Sequence, residues 1–312
     1  MRLRTVGACV IAAVVVASPV LARNDDRAVS LMAVVQLDRP FVQGGIARGR
    51  VPRGWSGLML DDRAVGVAGD GSFLVAIDRD AGPMATLALT DAAGVLHRQQ
   101  IAVAPRDWPI QRLDRVARFP QPSAEFAARR PAELARIAAA RDRMSESAGW
   151  RQAFVWPANG RISGRFGSQR IYRGEPGAYH SGVDVARPAG TPVVAPADGV
   201  VTLAADSPFT LEGWLLIVDH GMGLNSAFLH LSRIDVREGD QVRQGQPIGA
   251  IGASGRASGP HLHWGVTWHG ARIDPVVLLG PPAREDAGNA QEISRFDAQR
   301  TGTSGTARAA ED

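Results

Sequence analysis

The chain has 312 residues, which is long for one compact domain and enough for about two domains with tails. All 35 Lys+Arg residues are Arg, and a formal charge of +4 is too small to mark a nucleic-acid-binding surface. Cys9 is the single cysteine, so disulfides are excluded and the fold must rest on its cores, helped or not by a metal.

The first residues, MRLRTVGACVIAAVVVASPVLARNDD, put Arg2 and Arg4 before an apolar stretch from about Val6 to Val16, with small residues around Val20 and Ala22. This pattern predicts a secretory signal peptide over residues 1–22, cleaved after Ala22. A spanning helix needs about 20 unbroken apolar residues, and Pro19 interrupts this run, so no membrane span is expected in the mature chain. Cys9 lies inside the signal rather than just after the cleavage site, so no lipid anchor is expected. Removing Arg2 and Arg4 lowers the charge from +4 to about +2, compatible with an anionic wall and with no nucleic-acid partner.

Residues 30–110 alternate short apolar runs with Gly and Asp turns: LMAVVQL, SFLVAI, MATLALT and VLHRQQIAV. That spacing predicts a small antiparallel β domain, and nothing in it clusters metal ligands or catalytic groups. Over 120–150 the composition shifts to Ala, Arg and Glu. Leu134, Ile137, Ala138 and Met144 recur at helical spacing after Pro131, a residue suited to a first helical turn, so this segment predicts a helical connector.

Residues 151–280 return to strand patterns, VVAPADGVVTLA, GWLLIVDHG, NSAFLHLS, QPIGAIGAS and HLHWGVTWHGARIDP, separated by Gly-rich turns. A second, mostly antiparallel β domain is expected there, making the whole chain mostly β. Six of the seven histidines fall in it, His97 being the other. The polar tail over 281–312 has no sustained period and reads as disordered.

Three short motifs in the second domain carry chemistry. In GPHLHWG, residues two apart on a strand share a face, so His261 and His263 project together while Leu262 turns into the core. Surface strands also carry such pairs without function. In YHSGVDVA, His180 and Asp184 offer an imidazole nitrogen and a carboxylate oxygen. A catalytic zinc site needs three protein ligands, so one HLH histidine would complete the set. Alone, H-x-x-x-D is a weak signal. In FLHLS, His230 sits among apolar neighbours, where a satisfied core histidine is the plain alternative.

Taken together, GRFGSQR, HSGVDVARPAGTPVVAPADGVV and IVDHGMGLNSAFLHLSRIDVREGDQVRQGQPIGAIGASGRASGPHLHWGV resemble the lysostaphin-type, LytM-like family of zinc metallopeptidases. The resemblance runs from Gly164 to Leu279, essentially the whole second domain. It implies a LytM-like antiparallel β-sheet peptidase domain that hydrolyses peptide cross-links of peptidoglycan with Zn2+. His180, Asp184 and His263 would bind the zinc, and His230 and His261 would be the catalytic pair. Zinc lowers the pKa of bound water towards about 7, and a neutral imidazole nearby can take its proton. That role falls to His261, with His230 stabilising the oxyanion or protonating the leaving amine; the reverse division stays open. No glutamate stands where a helical H-E-x-x-H peptidase carries its base, so histidine is the available type. A diffuse resemblance upstream to Gram-negative members implies an exported, periplasmic protein, with secretion as the alternative.

The other histidines read as structural: His220 at a turn after a strand, His269 at a hairpin tip near the site, His97 in the first domain. No role is assigned to Arg165 or Asn225. Relatives of this fold that have lost ligands serve as activators of wall amidases, so the rival reading is a non-catalytic, amidase-activating module. Loss of a zinc ligand would mark that case, and all three are present. A further alternative is an enzyme whose connector and N-terminal β domain cover its groove.

Overall fold

In the first region, strands form wherever apolar residues alternate between turns. A computed structural model describes residues 30–115 and 123–280; the predicted signal over 1–22 and the predicted tail over 281–312 lie outside the described residues. Strands Gln36–Leu37, Ile46–Arg50 and Ser72–Ala76 make a three-stranded sheet. A five-stranded sheet joins Phe41–Val42, Leu96–Ala104, Met84–Thr90, Ser56–Leu60 and Arg63–Ala64. Its pairs are antiparallel except the first, where Phe41 and Val42 run parallel to Val103 and Ala104. LMAVVQL is not one strand: Leu31–Val34 forms a helical turn before Gln36–Leu37. The i, i+4 spacing of Leu31 and Val35, both fully buried, explains why, since a helical turn puts both on one face.

The region ends in strand β1 (Ile110–Leu113) and leads to helix α1 (Ala124–Asp142). The helix starts earlier than Pro131 suggested. Ser123 caps it by accepting the Phe126 N–H at 3.1 Å, and Pro131 lies in the interior. Its inward face also differs from the expected one: Glu133, Ile137 and Ala140 are buried, whereas Leu134 and Met144 are 49% and 68% exposed. Among the described residues, no helix is long and apolar enough to cross a membrane.

The second region contains a ten-stranded sheet. The strands that matter for the site are β2 (Arg161–Gly164), β4 (Gly182–Ala186), β5 (Gly199–Ala204), β6 (Trp214–Asp219), β7 (Leu224–Ile234), β8 (Pro247–Ile251), β9 (His261–Trp268) and β10 (Ala271–Ile273), with β3 (Gln169–Tyr172) in a separate small sheet. Along the main path the order is β2, β4, β9, β7, β6, β5, all antiparallel. One face of this sheet is a closed core in which Val185, Leu216, Val218, Phe228, Leu262, Trp264 and Val266 are fully buried. On the other face α1 packs Ile137 and Ala140 over Leu215, Ile217 and Ala227.

The two β regions are fused rather than strung apart. Strand β1 pairs in parallel with β3, Ile110 opposite Gln169, and Trp108 stacks edge-on to Phe166 at 5.6 Å. One apolar cluster runs from Phe41, Phe73 and Leu87 to Phe166, Val183 and Leu262. The upstream region is thereby seated against the segment that leads into His180.

Candidate metal centre

Register brings the site together. Asp184 on β4 lies opposite His263 on β9, and His263 lies opposite Leu229 on β7. Pleating then sends His261 and His263 to one face while Leu262 and Trp264 fill the core behind. His180 enters from the turn before β4, with its N–H donating to the Ser168 carbonyl at 2.8 Å.

The three groups converge on one another. His180 Nε2 is 3.0 Å from Asp184 Oδ1, His263 Nδ1 is 2.8 Å from the same oxygen, and the two nitrogens are 3.1 Å apart. Among the described residues this is the group of His, Cys, Asp and Glu side chains arranged to hold a metal ion. A tetrahedral ion bonded at about 2.0–2.2 Å sets its ligand atoms about 3.3 Å apart, close to this triangle.

Donor chemistry agrees with the distances. The Arg165 carbonyl, 3.0 Å from His180 Nδ1, can only accept, so Nδ1 carries the hydrogen and Nε2 turns a lone pair toward Asp184. In the neutral ring that lone pair would repel the carboxylate oxygen, so the contact needs a shared cation: a proton when no metal is bound, or the metal ion itself. The two histidines offer different ring atoms, Nε2 from His180 and Nδ1 from His263, a distinction that sequence spacing does not carry.

Two glycines make the approach possible. A Cβ on Gly164, opposite Asp184 in the β2–β4 ladder, would lie 2.3 Å from Asp184 Oδ2. On Gly182 it would lie 2.4 Å from the Trp264 carbonyl and 2.7 Å from His263 Nε2.

Beside the triangle stand His230 and His261, ring centroids 4.9 Å apart, with His261 Nε2 3.9 Å from Asp184 Oδ1. Each donates Nδ1–H to a backbone carbonyl at 2.8 Å, His230 to Ser254 and His261 to Gly259, which leaves both Nε2 atoms as lone-pair acceptors. His230 reaches the site through an irregularity. Between the Leu216–Phe228 and Trp214–Leu231 pairs, β6 contributes Leu215 alone while β7 contributes Leu229 and His230. This bulge holds His230 at φ 63°, a left-handed conformation that a non-glycine residue keeps only when its surroundings enforce it.

Charge follows environment. Burial works against ionising Asp184, but hydrogen bonds from His180 and His263 outweigh it and hold the carboxyl well below its usual range. Burial also works against the His180 cation, yet the same partnership with Asp184 raises its pKa. For His263 burial wins and the pKa falls. Burial, with the charges of His263 and His261, pushes His230 down to about 4.

The remaining histidines stand apart. His220 is fully buried behind the sheet, its Nδ1–H on the Asp198 carbonyl and its Nε2 against Ser226 Oγ, which in turn accepts Trp264 Nε1–H. His97 pairs with Asp91 at 2.8 Å in the first region. His269 is at a hairpin tip, as the sequence suggested, but not near the site. It follows the far end of β9, six residues beyond His263 and so about 20 Å away along an extended strand. Asn225 is 2% exposed and donates to the Gly223 and Arg141 carbonyls. Sequence reasoning missed Gly164, Gly182, Glu212 and Ser254. Only the glycines left a trace, standing in the quoted GRFG and HSGVD motifs.

Comparison with known proteins bears on this geometry. The profile described as Peptidase family M23 matches residues 178–275, which include all five side chains above. Peptidoglycan DD-endopeptidase ShyA of Vibrio cholerae is 36% identical over 141 residues, covering 45% of this chain and 32% of ShyA. DD-carboxypeptidase/endopeptidase Mpg of Neisseria meningitidis is 38% identical over 125 residues, covering 39% of this chain and 27% of Mpg. The chain thus matches about a third or less of the length of these curated relatives. A crystal structure assigned to peptidase M23 from Pseudomonas aeruginosa superposes with a TM-score of 0.61 at 32% identity, covering 78% of this chain and 96% of that one.

Proposed function

The chain belongs to peptidase family M23, and from that premise we propose that it is a zinc-dependent endopeptidase hydrolysing peptide cross-links of bacterial peptidoglycan. The observation that carries this reading is the triangle of His180 Nε2, Asp184 Oδ1 and His263 Nδ1, 2.8–3.1 Å on its edges, with two lone-pair imidazoles beside it. Zinc is the ion that suits two imidazoles and one carboxylate. When bound it acidifies water and polarises a carbonyl.

The chain's own residues then divide the proton work. His261 Nε2, oriented by the Gly259 carbonyl, is the general base that takes a proton from the attacking water. His230 acts on the other partner. With its Nδ1–H held by the Ser254 carbonyl and its pKa lowered by burial to about 4, His230 rests neutral. Its Nε2 therefore serves the departing amine or the developing oxyanion only after receiving a proton, and the water proton taken up by the adjacent His261 is the source. Residues 151–280 form the peptidase unit, with 30–110 and 120–150 as its scaffold. The signal peptide expected over residues 1–22 supports action outside the cytoplasm, and directly linked stem peptides of a Gram-negative wall are the proposed substrate class.

Purified chain supplied with zinc should split defined cross-linked peptide dimers into separated stems, read by mass spectrometry, and His261→Ala should abolish the products. Intact dimers with the wild-type chain, or an unchanged product pattern with the variant, would overturn the reading. The rival, an amidase-activating module, is disfavoured because all three ligand positions are retained and converge.

A further inference from the structure

All five site residues lie in the M23-matched segment 178–275, yet two arginines from outside it are joined to the site by continuous hydrogen-bond paths. Arg79, 6% exposed, donates through Nη2 to the Gly167 carbonyl at 2.9 Å and to Gln169 Oε1 at 3.3 Å. Its guanidinium stacks over Tyr179 at 4.5 Å and faces Trp108 at 5.3 Å. The segment it grips is the cradle of His180. Gly167 N–H donates to the His180 carbonyl at 2.8 Å, Ser168 accepts the His180 N–H at 2.8 Å, and Arg165 accepts Nδ1–H at 3.0 Å.

Arg130 works at the other side. From α1 it makes a two-pronged ion pair with Glu212, 2.6 Å and 2.8 Å, while Glu133 from the same helix accepts the Thr210 N–H at 2.8 Å. Glu212 is 7% exposed, and its carbonyl accepts the His230 N–H at 2.8 Å. A left-handed residue in a bulge needs such fixing, and the guanidinium fork supplies direction as well as charge.

We infer that Arg79 and Arg130 are positioning residues with separate tasks: Arg79 sets the metal ligand His180, and Arg130, through Glu212, sets the backbone of His230. This rests on the hydrolase reading above. Groups hydrogen-bonded directly to a ligand cost about 10- to 100-fold in metal affinity or activity when removed, and these arginines hold in place the segments that carry such groups. The two arginines should therefore divide that cost by which residue each one holds.

The test uses the full chain, with cobalt(II) as a spectroscopic stand-in, zinc affinity by chelator competition, kcat and KM on cross-linked dimers, and thermal melting as the folding check. Arg79→Met should weaken zinc and alter the cobalt spectrum, with Kd rising about 10- to 100-fold and kcat at saturating zinc within about twofold. Arg130→Met alone strands a buried carboxylate and risks misfolding. The double variant Arg130→Met, Glu212→Gln removes both charges. It should keep the zinc Kd and KM within about twofold while kcat falls about 10- to 100-fold. Arg130→Lys, with charge but no fork, should recover kcat only in part.

If the Arg79 and Arg130 variants move zinc affinity and kcat in parallel, or lower only the melting temperature, the assignment fails. A wild-type chain that binds cobalt through His263, as a His263→Ala control would show, but cleaves no dimer would sink the hydrolase reading instead. The Arg79 arm would still be decided by metal affinity alone.

Discussion

The two halves of the site are held by different means. His180, Asp184 and His263 converge because regular antiparallel register puts β4 beside β9 and two glycines let the strands close. His230 instead depends on a bulge, a left-handed backbone and loop carbonyls from Glu212 and Ser254. The ligand half is therefore stiff and intolerant of added atoms. His230 stays in place only through neighbours that can be removed one at a time.

Acid should act most strongly, and on the ligand half's support. His220, Ser226 and Trp264 form a buried chain behind β9 that requires a neutral imidazole. Burial lowers the His220 pKa to about 4 in the folded chain, against about 6.5 when unfolded. The unfolded chain thus takes up a proton that the folded chain refuses. This contribution is full above about pH 6.5 and declines toward pH 4 by on the order of 3 kcal/mol. Denaturant unfolding of metal-free wild type and His220→Asn across this range should show the slope shrinking in the variant. Equal slopes would remove His220 from the explanation.

Next comes Gly182→Ala. Its methyl would sit 2.4 Å from the Trp264 carbonyl and 2.7 Å from His263 Nε2, so β4 and β9 must separate where the ligands face each other. Overpacking of this kind costs about 1–3 kcal/mol, and zinc affinity should fall with it. Wild-type affinity in a chelator titration would show that the ligand half is more compliant than argued.

The smallest effect should follow Ser254→Ala, on the other half. The Ser254 hydroxyl accepts the Trp214 N–H at 2.9 Å and donates to the Leu231 carbonyl at 2.8 Å, bracketing the bulge. Leaving those groups unpaired costs about 1–3 kcal/mol, at the low end where water can reach them. Turnover should drop while zinc binding holds, and a parallel loss of zinc would erase the contrast between the halves.

Much of this was legible in the sequence, because the ligand half is written locally. HLH needs only the two-residue period of a strand to present two imidazoles, and H-x-x-x-D, GRFG and HSGVD sit close to the positions they serve. His230 was legible only as a residue type. Nothing in FLHLS announces the positive φ of His230, since a bulge is decided by mismatch with β6, a partner elsewhere in the chain. The supports were hidden for the same reason: Arg79 meets Gly167 across 88 positions, and Arg130 meets Glu212 across 82. The parallel β1–β3 pair escaped a reading based on hairpin turns, and Pro131 misled because the Ser123 cap lies outside the periodic run that marked the helix.

The Asp184–His263 contact spans 79 positions of chain. During synthesis or passage across a membrane, then, the first two ligands emerge with no third to join them, and no ion trap exists until the strand carrying His263 docks beside its neighbour. Under the proposed zinc reading, metal loading would come late in the molecule's life, in the compartment where that last strand settles.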